Sequence, residues 1–94
     1  MIYRLTFKVE AEKEWRKLDL TIQRQFKKKL IECLKNPHIP SARLNGMKNC
    51  YKIKLQSAGY RLVYEVKDRE VVVTVVAIGK RERNEVYKTA IKRV

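Results

Sequence analysis

Apolar and charged side chains alternate along residues 51–55 (YKIKL) and, after a short interruption, along residues 60–66 (YRLVYEV). The interruption, residues 56–59, has the sequence QSAG and ends on a glycine. A period of two is typical of half-buried β-strands, and a short glycine-containing loop typically joins two antiparallel strands. The sequence therefore predicts a β-hairpin, and the hairpin determines which side chains share a face.

The predicted hairpin places three positive charges on one face of the sheet. If residues 56–59 form the loop, Lys54 falls directly opposite Arg61, and Lys52 lies two residues along on the same face. Like charges across a strand pair are destabilising, by an amount comparable to the roughly 0.2–1 kcal/mol of a favourable pair. We therefore favour an anion site at this face; the alternative is a solvated face on a basic protein.

The overall charge points to a polyanionic partner. The 94 residues include 23 Lys and Arg against 10 Asp and Glu, which gives a formal net charge of +13, and 45% of the residues are hydrophobic. This length predicts one domain covering residues 1–94, and the apolar fraction is that of a folded protein rather than of a basic disordered tail. Nucleic acid, a membrane surface and an acidic protein are the candidate partner classes.

Several classes of function are disfavoured by the sequence. No apolar run approaches the ~18 residues of a membrane span, and the N-terminus lacks the features of a signal peptide, so we expect a cytoplasmic protein with no membrane span. Of the three candidate partner classes, we do not expect a membrane. Cys33 and Cys50 do not have metal-ligand spacing, and the single His38, between two prolines, is expected in a surface loop. We therefore expect no metal and no cofactor.

Hydrophobic periodicity predicts the remaining elements and the fold class. Before the hairpin we expect a strand at 2–7, a helix at 10–17, a longer helix capped by Asp19 or Thr21 and ended by Pro37, and a loop at 36–49. After it we expect a central strand at 71–78 ended by Gly79, and a last helix with an apolar stripe of Val86, Tyr87, Ala90, Ile91 and Val94. This order predicts a small single α+β domain. It has a mainly antiparallel four-stranded sheet, two N-terminal helices packed on one face, and a C-terminal helix.

Two further residues are expected near the cationic face. Arg81 follows the central strand, and the twist of a sheet would bring it, together with Tyr87 of the last helix, over the three hairpin cations. An aromatic residue at helical spacing is as often part of the core, so the sequence leaves the position of Tyr87 open. The run Lys27–Lys29 lies on the solvent side of the second helix, where it serves solubility or contacts phosphates.

Lysine, arginine and tyrosine side chains are sufficient for one kind of RNA chemistry. Attack of a 2′-hydroxyl on the adjacent phosphorus needs a base, charge stabilisation on the phosphate oxygens, and a proton for the departing 5′-oxygen. Arginine binds phosphate oxygens bidentately, and lysine becomes a base when neighbouring cations lower its pKa. The same residue types also suit a surface that binds phosphates without cutting RNA, so the sequence leaves RNA cleavage and RNA binding both open.

Five motifs together carry a resemblance to a known family. They are EWRKL at residues 14–18, KKKL at 27–30, CYKIKL at 50–55, GYRLVY at 59–64 and GKRERNEVY at 79–87. Over essentially its whole length the sequence resembles the RelE toxins of bacterial toxin–antitoxin modules, within the wider RelE/ParE group. One departure is Asn45, which stands where a close relative carries an arginine.

The resemblance implies a ribosome-dependent endoribonuclease that cuts the messenger RNA codon in the ribosomal A site, inhibits translation and is neutralised by a RelB-like antitoxin. It also implies a metal-independent reaction without a cofactor, and contact with operator DNA only through the antitoxin complex. The implied catalytic residues are Lys52, Lys54, Arg61, Arg81 and Tyr87. The remaining positive charge is expected to contact RNA and the ribosome, through Arg24, Lys27, Lys28, Lys29, Arg43, Lys48 and Arg83.

Two other functions are compatible with this fold and charge. A ParE-like toxin shares the fold but poisons DNA gyrase, and members that act in this way are not expected to keep this set of lysine, arginine and tyrosine residues. A non-catalytic nucleic-acid-binding module would bind with steep salt dependence and would cut nothing. Mapping the 5′ ends of cellular transcripts distinguishes all three functions.

Overall fold

The computed structural model describes residues 2–82 and 84–94. In this part of the chain the α-helices are α1 (Val9–Lys17), α2 (Leu20–Lys35) and α3 (Glu85–Arg93), and none of them is long and apolar enough to cross a membrane. The strands are β1 (Arg4–Phe7), β2 (Cys50–Leu55), β3 (Tyr60–Lys67) and β4 (Val72–Lys80). A 3₁₀ turn, Pro40–Ala42, lies in the loop before β2.

The strands form one sheet in the order β1-β4-β3-β2. β2, β3 and β4 make an antiparallel meander, and β1 adds to its far side parallel to β4. The prediction of a mainly antiparallel four-stranded sheet is therefore confirmed. β4 lies inside the sheet, as its nearly continuous apolar sequence requires, whereas β2 lies at an edge.

The helices cover both faces of the sheet. One buried cluster joins α1 and α2 to the first face, and its members include Ala11, Ile22, Phe26, Leu30, Leu62, Tyr64 and Val75. A second buried cluster joins α3 to the opposite face, and its members include Val63, Val76, Ala77, Val86 and Ala90. The predicted packing of the two N-terminal helices on one face is confirmed, and the C-terminal helix lies on the other.

The N-terminal elements begin and end within two residues of their predicted bounds. β1 begins at Arg4 rather than at residue 2, and α1 begins at Val9 rather than at residue 10. Asp19 caps α2, because its Oδ1 accepts a hydrogen bond from the Ile22 N–H at 3.0 Å. α2 ends at Lys35, just before the Asn36-Pro37 pair, where proline has no N–H to continue the helix.

The last strand and the last helix differ from their predictions. β4 runs on to Lys80, so Gly79 lies inside the strand instead of ending it. In α3 the predicted apolar stripe is only half right, because Ile91 and Val94 are 57% and 52% exposed. The C-terminal turn of α3 is instead joined to the sheet by a polar contact, from Arg93 to the carbonyl of Val76 at 2.9 Å.

A β-bulge in β4 changes the face that its later residues take. Residues 63 and 64 of β3 pair with Ala77 and Val75, which leaves Val76 as an additional residue. Val76 and Ala77 are both buried in the cluster on the α3 side. Because side chains alternate with a period of two, one extra residue moves every later position to the opposite face. Gly79 and Arg81 consequently belong to the face that α3 covers.

His38 is connected to two other elements of the fold. Its Nε2 lies 2.7 Å from Asp68 Oδ1 and its Nδ1 lies 3.1 Å from the hydroxyl of Tyr51. Tyr3 donates to the same carboxylate oxygen at 2.6 Å. The bonds from Tyr3 and His38 lower the pKa of the Asp68 carboxyl. The histidine is exposed, as predicted for a loop residue, but it also holds its loop to β2 and to the turn between β3 and β4.

Candidate active site

The hairpin of β2 and β3 forms with the predicted register. Lys54 pairs with Arg61, and the loop is closed by a hydrogen bond of 2.8 Å from the Gly59 N–H to the Leu55 carbonyl. Gly59 has a φ of +70°, which glycine adopts without steric cost, so this residue fixes the length of the loop. Lys54 and Arg61 therefore stand side by side, and Lys52 follows two residues along β2 on the same face.

Arg81 joins these cations because the pairing of β3 with β4 continues past the end of the strand. The Arg81 N–H donates to the Gly59 carbonyl at 2.7 Å. Arg81, Lys54 and Arg61 together line a small cavity of about 130 Å³. Charge-assisted hydrogen bonds from such side chains are suited to phosphate oxygens, so the cavity is a candidate site for one phosphodiester group.

Tyr87 lies against Arg61. Arg61 Nη1 donates to the Tyr87 hydroxyl at 2.9 Å, and the guanidinium carbon lies 5.5 Å from the centre of the tyrosine ring. This distance is within the range of about 6 Å over which a cation is attracted to an aromatic face. The buried residues of α3 are Val86 and Ala90, whereas Tyr87 is half-buried. The structure thus places Tyr87 at the cationic face rather than inside the core.

The crowding of positive charge alters the acidity of Lys54. Lys52 has the largest effect in lowering the pKa of Lys54 below its ordinary value, and Arg61, partial desolvation and Arg81 act in the same direction. A lower pKa leaves more of the amine unprotonated near neutral pH. The unprotonated amine can accept a proton, so Lys54 has the electrostatic surroundings of a general base.

A larger groove of about 1060 Å³ lies between α2 and the edge strand β2. Lys28 and Lys29 line it from α2, and Lys52 and Lys54 line it from β2. Lys29 Nζ also donates to the Lys54 carbonyl at 3.3 Å. Two lysines that the sequence assigns to RNA contact are therefore continuous with the candidate catalytic residues.

The other residues predicted to contact RNA are spread over the surface. Arg24 and Lys27 are exposed on α2 but are not among the residues that line the groove. Arg43 is exposed and bridges to Tyr51 beside β2, and Lys48 is exposed in the loop before β2. Arg83 lies outside the described residues. The structure gives each described residue access to a large polyanion without gathering them into one patch.

The cationic face does not offer metal ligands. Its side chains are amines, guanidinium groups and a phenol, whereas metal sites in proteins use thiolate, imidazole and carboxylate donors. In residues 2–82 and 84–94, no three His, Cys, Asp or Glu side chains are grouped so that they could hold an ion. Burial raises the pKa of the Cys50 thiol to about 11, which disfavours the thiolate.

Three residues that shape the site were not predicted from the sequence. Gly79 is the register partner of Arg61, although its position after an apolar run indicates a strand end. Glu14 and Arg93 form a bidentate ion pair, with distances of 2.9 and 3.1 Å, between α1 and the end of α3. These two residues are 79 positions apart, and no local spacing indicates that a long-range pair of this kind will form.

Comparison with known proteins identifies the family. The family described as ParE toxin of type II toxin–antitoxin system, parDE, has a model that matches residues 5–85. The Escherichia coli (strain K12) protein called mRNA interferase toxin RelE is 57% identical over 94 residues, which are 100% of this chain and 99% of that protein. The chain belongs to the RelE toxins of the RelE/ParE superfamily. As a RelE toxin it is the toxin of a type II toxin–antitoxin module.

Solved structures of relatives have the fold of this RelE toxin. The free state of the E. coli toxin RelE (R81A/R83A) mutant has a TM-score of 0.93 at 55% identity, over 100% of this chain and 99% of that one. RelE in the intact E. coli RelBE toxin–antitoxin complex has a TM-score of 0.83 at 57% identity, over 86% of this chain and 99% of that one. The expected α+β architecture is thereby confirmed.

Proposed function

We propose that this toxin is an endoribonuclease that cuts messenger RNA without a metal ion and thereby inhibits translation. The relative called mRNA interferase toxin RelE supports messenger RNA as the substrate. The observation that carries the proposal is the pairing of Lys54, whose pKa is lowered, with Arg61. A proton acceptor beside a phosphate-binding guanidinium supplies the two requirements for attack by a 2′-hydroxyl, which are proton removal and charge stabilisation.

Each cationic side chain has its own role in the proposed reaction. Unprotonated Lys54 takes the proton of the 2′-hydroxyl, the 2′-oxygen bonds to phosphorus, and the bond from phosphorus to the 5′-oxygen breaks. Arg61, with Lys52, stabilises the charge on the nonbridging oxygens through charge-assisted hydrogen bonds. Arg81 protonates the departing 5′-oxygen or neutralises its charge while water supplies the proton. The products are a 2′,3′-cyclic phosphate and a 5′-hydroxyl.

Tyr87 acts as a platform for the substrate base. Its hydrogen bond to Arg61 holds the ring next to the group that binds the phosphate. Stacking of an unpaired base on an aromatic side chain contributes roughly 1–3 kcal/mol. This contribution orients the nucleotide without requiring the phenol to transfer a proton.

The ribosome orients the substrate in the proposed reaction. In this proposal the cationic side chains bind the phosphate but do not themselves hold the 2′-oxygen in line with the departing oxygen. Such orientation is worth about 7–11 kcal/mol of the barrier, and a codon held in the ribosomal A site provides it. The proposed contacts to ribosomal RNA are Arg24, Lys27, Lys28, Lys29, Arg43, Lys48 and Arg83.

A RelB-like antitoxin is the proposed neutralising partner. The intact E. coli RelBE complex, in which the toxin is 57% identical to this chain, supports this assignment. An antitoxin with acidic side chains would complement the net charge of +13. Operator DNA is contacted only through the antitoxin complex, and the site of action is the cytoplasm, where ribosomes translate.

Substitution of the two arginines tests the catalytic assignment. We expect Arg61→Ala and Arg81→Ala each to abolish A-site cleavage, because each removes a charge from the phosphate cavity. Primer extension in a translation reaction measures cleavage, and circular dichroism verifies the fold. Lys17→Ala, which removes a charge from the exposed end of α1, is the matched control. Unchanged cleavage by both arginine variants contradicts the assignment.

A comparison of the cleavage rates of free and ribosome-bound messenger RNA distinguishes the role of the ribosome from that of the toxin. Cleavage of both at the same rate by the purified toxin would show that the ribosome does not orient the substrate. Mapping of 5′ ends in cells that express the toxin tests the reaction itself. Ends inside translated codons fit an A-site nuclease, whereas DNA damage without such ends fits a toxin that poisons gyrase.

A further inference from the structure

Gly79 is a glycine in a strand position whose backbone does not require one. Its φ lies outside the left-handed region, unlike that of Gly46 at +78° and Gly59 at +70°. Glycine inside a strand weakens it, because it contributes no side chain and loses more conformational freedom on folding than other residues. A reason for glycine at this position must therefore come from the space that a side chain would occupy.

The space beside Gly79 is occupied by α3. A Cβ atom at residue 79 would lie 2.9 Å from Cγ2 of Val86, which is buried and lies in the first turn of the helix. Favourable contacts between carbon atoms have separations of about 3.5–4.0 Å, so the helix and strand would have to separate by about 0.6–1.1 Å. Valine is stiff about its first side-chain torsion, so its methyl group cannot easily turn away.

This close approach is next to the candidate active site. Gly79 is the register partner of Arg61, and Val86 directly precedes Tyr87. Arg61 and Tyr87 are joined by the hydrogen bond of 2.9 Å between the guanidinium and the phenol. Movement of the first turn of α3 away from β4 therefore moves the Tyr87 ring away from Arg61.

The opposite end of α3 is held independently. Arg93 is bonded to Glu14 of α1 and to the Val76 carbonyl of β4, at 2.9 Å in each case. A side chain at residue 79 would therefore push on one end of a helix whose other end is fixed. The expected result is a tilt of α3 at the end that carries Tyr87.

We propose that Gly79 is a positioning residue for Tyr87, because its missing side chain lets α3 approach β4 closely enough for Tyr87 to contact Arg61. This inference rests on the proposed function only in taking Tyr87 and Arg61 to act on the same nucleotide. Gly79 itself touches neither the substrate nor the reacting atoms. The β-bulge at Val76 is part of the arrangement, since it turns residue 79 towards α3.

The test is a double-mutant cycle of Gly79→Ala and Val86→Ala. Alone, Gly79→Ala should lower the rate of A-site cleavage at saturating ribosome by roughly tenfold to a hundredfold, since a displacement of about 1 Å costs up to that factor. Its melting temperature should fall only modestly, because the preference of a strand for alanine over glycine offsets part of the cost of separating α3 from β4. Val86→Ala removes the methyl group that a new Cβ would meet, so the double variant should recover most of the lost rate relative to Val86→Ala alone.

The position of Tyr87 is measured without any substrate in the wild type, the two single variants and the double variant. The toxin is labelled with ¹³C-tyrosine, and Tyr87→Phe identifies the ring resonances of Tyr87. These resonances should shift in Gly79→Ala and return towards their original values when Val86→Ala is added. A structural role for Gly79 that does not involve Tyr87 would leave them in place.

The two readouts distinguish failure of this inference from failure of the proposed function. Unshifted Tyr87 resonances in Gly79→Ala, or a loss of cleavage that Val86→Ala does not reduce, overturn the positioning role. If the wild-type toxin cuts no codons, the proposed function fails, while the resonances still decide whether Gly79 positions Tyr87. If Gly79→Ala does not fold and the double variant does, the steric contact is supported and the double variant supplies both measurements.

Discussion

Lys54 is surrounded by cations, and Lys52 on the same strand has the largest effect on its pKa. Each nearby positive charge disfavours the protonated amine, so the acidity of Lys54 depends on residues that need not contact the substrate proton. The proposed role of Lys54 as a base is favoured by this shift, because a general base works best when its pKa is near the working pH. The arrangement also explains why the strand tolerates like charges that cost stability.

Neutralisation of Lys52 gives a prediction about pH dependence. Lys52→Met removes the largest effect that lowers the pKa of Lys54, so this pKa should rise. If unprotonated Lys54 is the base, cleavage increases as pH rises through its pKa, and the rising part of the pH–rate profile should move to higher pH. Single-turnover cleavage of ribosome-bound messenger RNA measures the profile.

The control for this experiment is Lys17→Met, which makes the same change of charge on α1. Lys17 is not among the groups that lower the pKa of Lys54, so its profile should keep the wild-type position. A Lys52→Met profile that does not move, or that moves to lower pH, contradicts the role of Lys54 as the base.

The register of β2 with β3 could be predicted from the sequence because two local signals agree. Alternation fixes the faces of residues 51–55 and 60–66, and the four-residue loop ending at Gly59 fixes which residues are opposite. The position of Tyr87 could not be predicted in this way. A helical period places it beside Val86 and Ala90, but the contact with Arg61 depends on how closely α3 approaches the sheet.

Among the elements, β4 shows why the β-bulge, which sets the face that Gly79 takes, was hidden from sequence analysis. Residues 71–78 read VVVTVVAI, and a run that is apolar on both faces does not show a change of phase. The bulge at Val76 is such a change, and it brings Gly79 and Arg81 to the face of the sheet that carries Arg61. A strand with polar residues on one face would have revealed the extra residue as a break in its alternation.

α3 is a helix of nine residues, and its fixed position comes from the contacts at its two ends. A helix of this length is marginal on its own, so packing and polar contacts must hold it. The β1–β4 pairing ends at Phe7, and beyond it the Glu14–Arg93 pair bonds the Val76 carbonyl and the Ile78 N–H of β4. Glu14 Oε1 accepts from the Ile78 N–H at 3.1 Å.

Removal of this ion pair gives a prediction for the stability of the protein. Arg93→Ala leaves the Glu14 carboxylate and the Val76 carbonyl without the guanidinium, and the side chains of Arg93 and Glu14 are only 17% and 30% exposed. We expect the free energy of unfolding to fall by about 2 kcal/mol, which in a domain of this size lowers the melting temperature by about 8–16 °C. Thermal denaturation measures this change. Relative to the wild type, the variant should show a larger increase in the rate of hydrogen exchange in α3 than in β3.

The charge-reversed double variant Glu14→Arg/Arg93→Glu distinguishes a simple ion pair from a pair that also bonds the strand. In this variant the Ile78 N–H would face a guanidinium and the Val76 carbonyl would face a carboxylate, so the double variant should stay less stable than the wild type. Full recovery of stability would show that only the attraction between the two charges matters. Lys92→Ala, at an exposed position of the same turn, is the matched control.

Across the whole molecule, two cationic regions meet at the edge strand β2. The small cavity with Lys54, Arg61 and Arg81 lies at the α3 face, and the larger groove with Lys28 and Lys29 lies towards α2. Lys54 lines both, so positive charge is continuous from one to the other. A single strand of RNA bound in the cavity can therefore extend over the edge of the sheet while remaining close to lysine side chains.

This continuity predicts how salt acts on ribosome binding. Each phosphate contact adds about 0.7–0.9 to the slope of log affinity against log salt concentration, because binding releases counterions. Lys28→Gln/Lys29→Gln should therefore reduce the slope for binding of the toxin to ribosomes by about 1.4–1.8 if both lysines contact phosphates. Lys13→Gln/Lys17→Gln removes the same charge from exposed positions of α1 and should leave the slope unchanged. Equal slopes for the two double variants would mean that only net charge attracts the toxin, and that the groove beside β2 does not follow the RNA backbone.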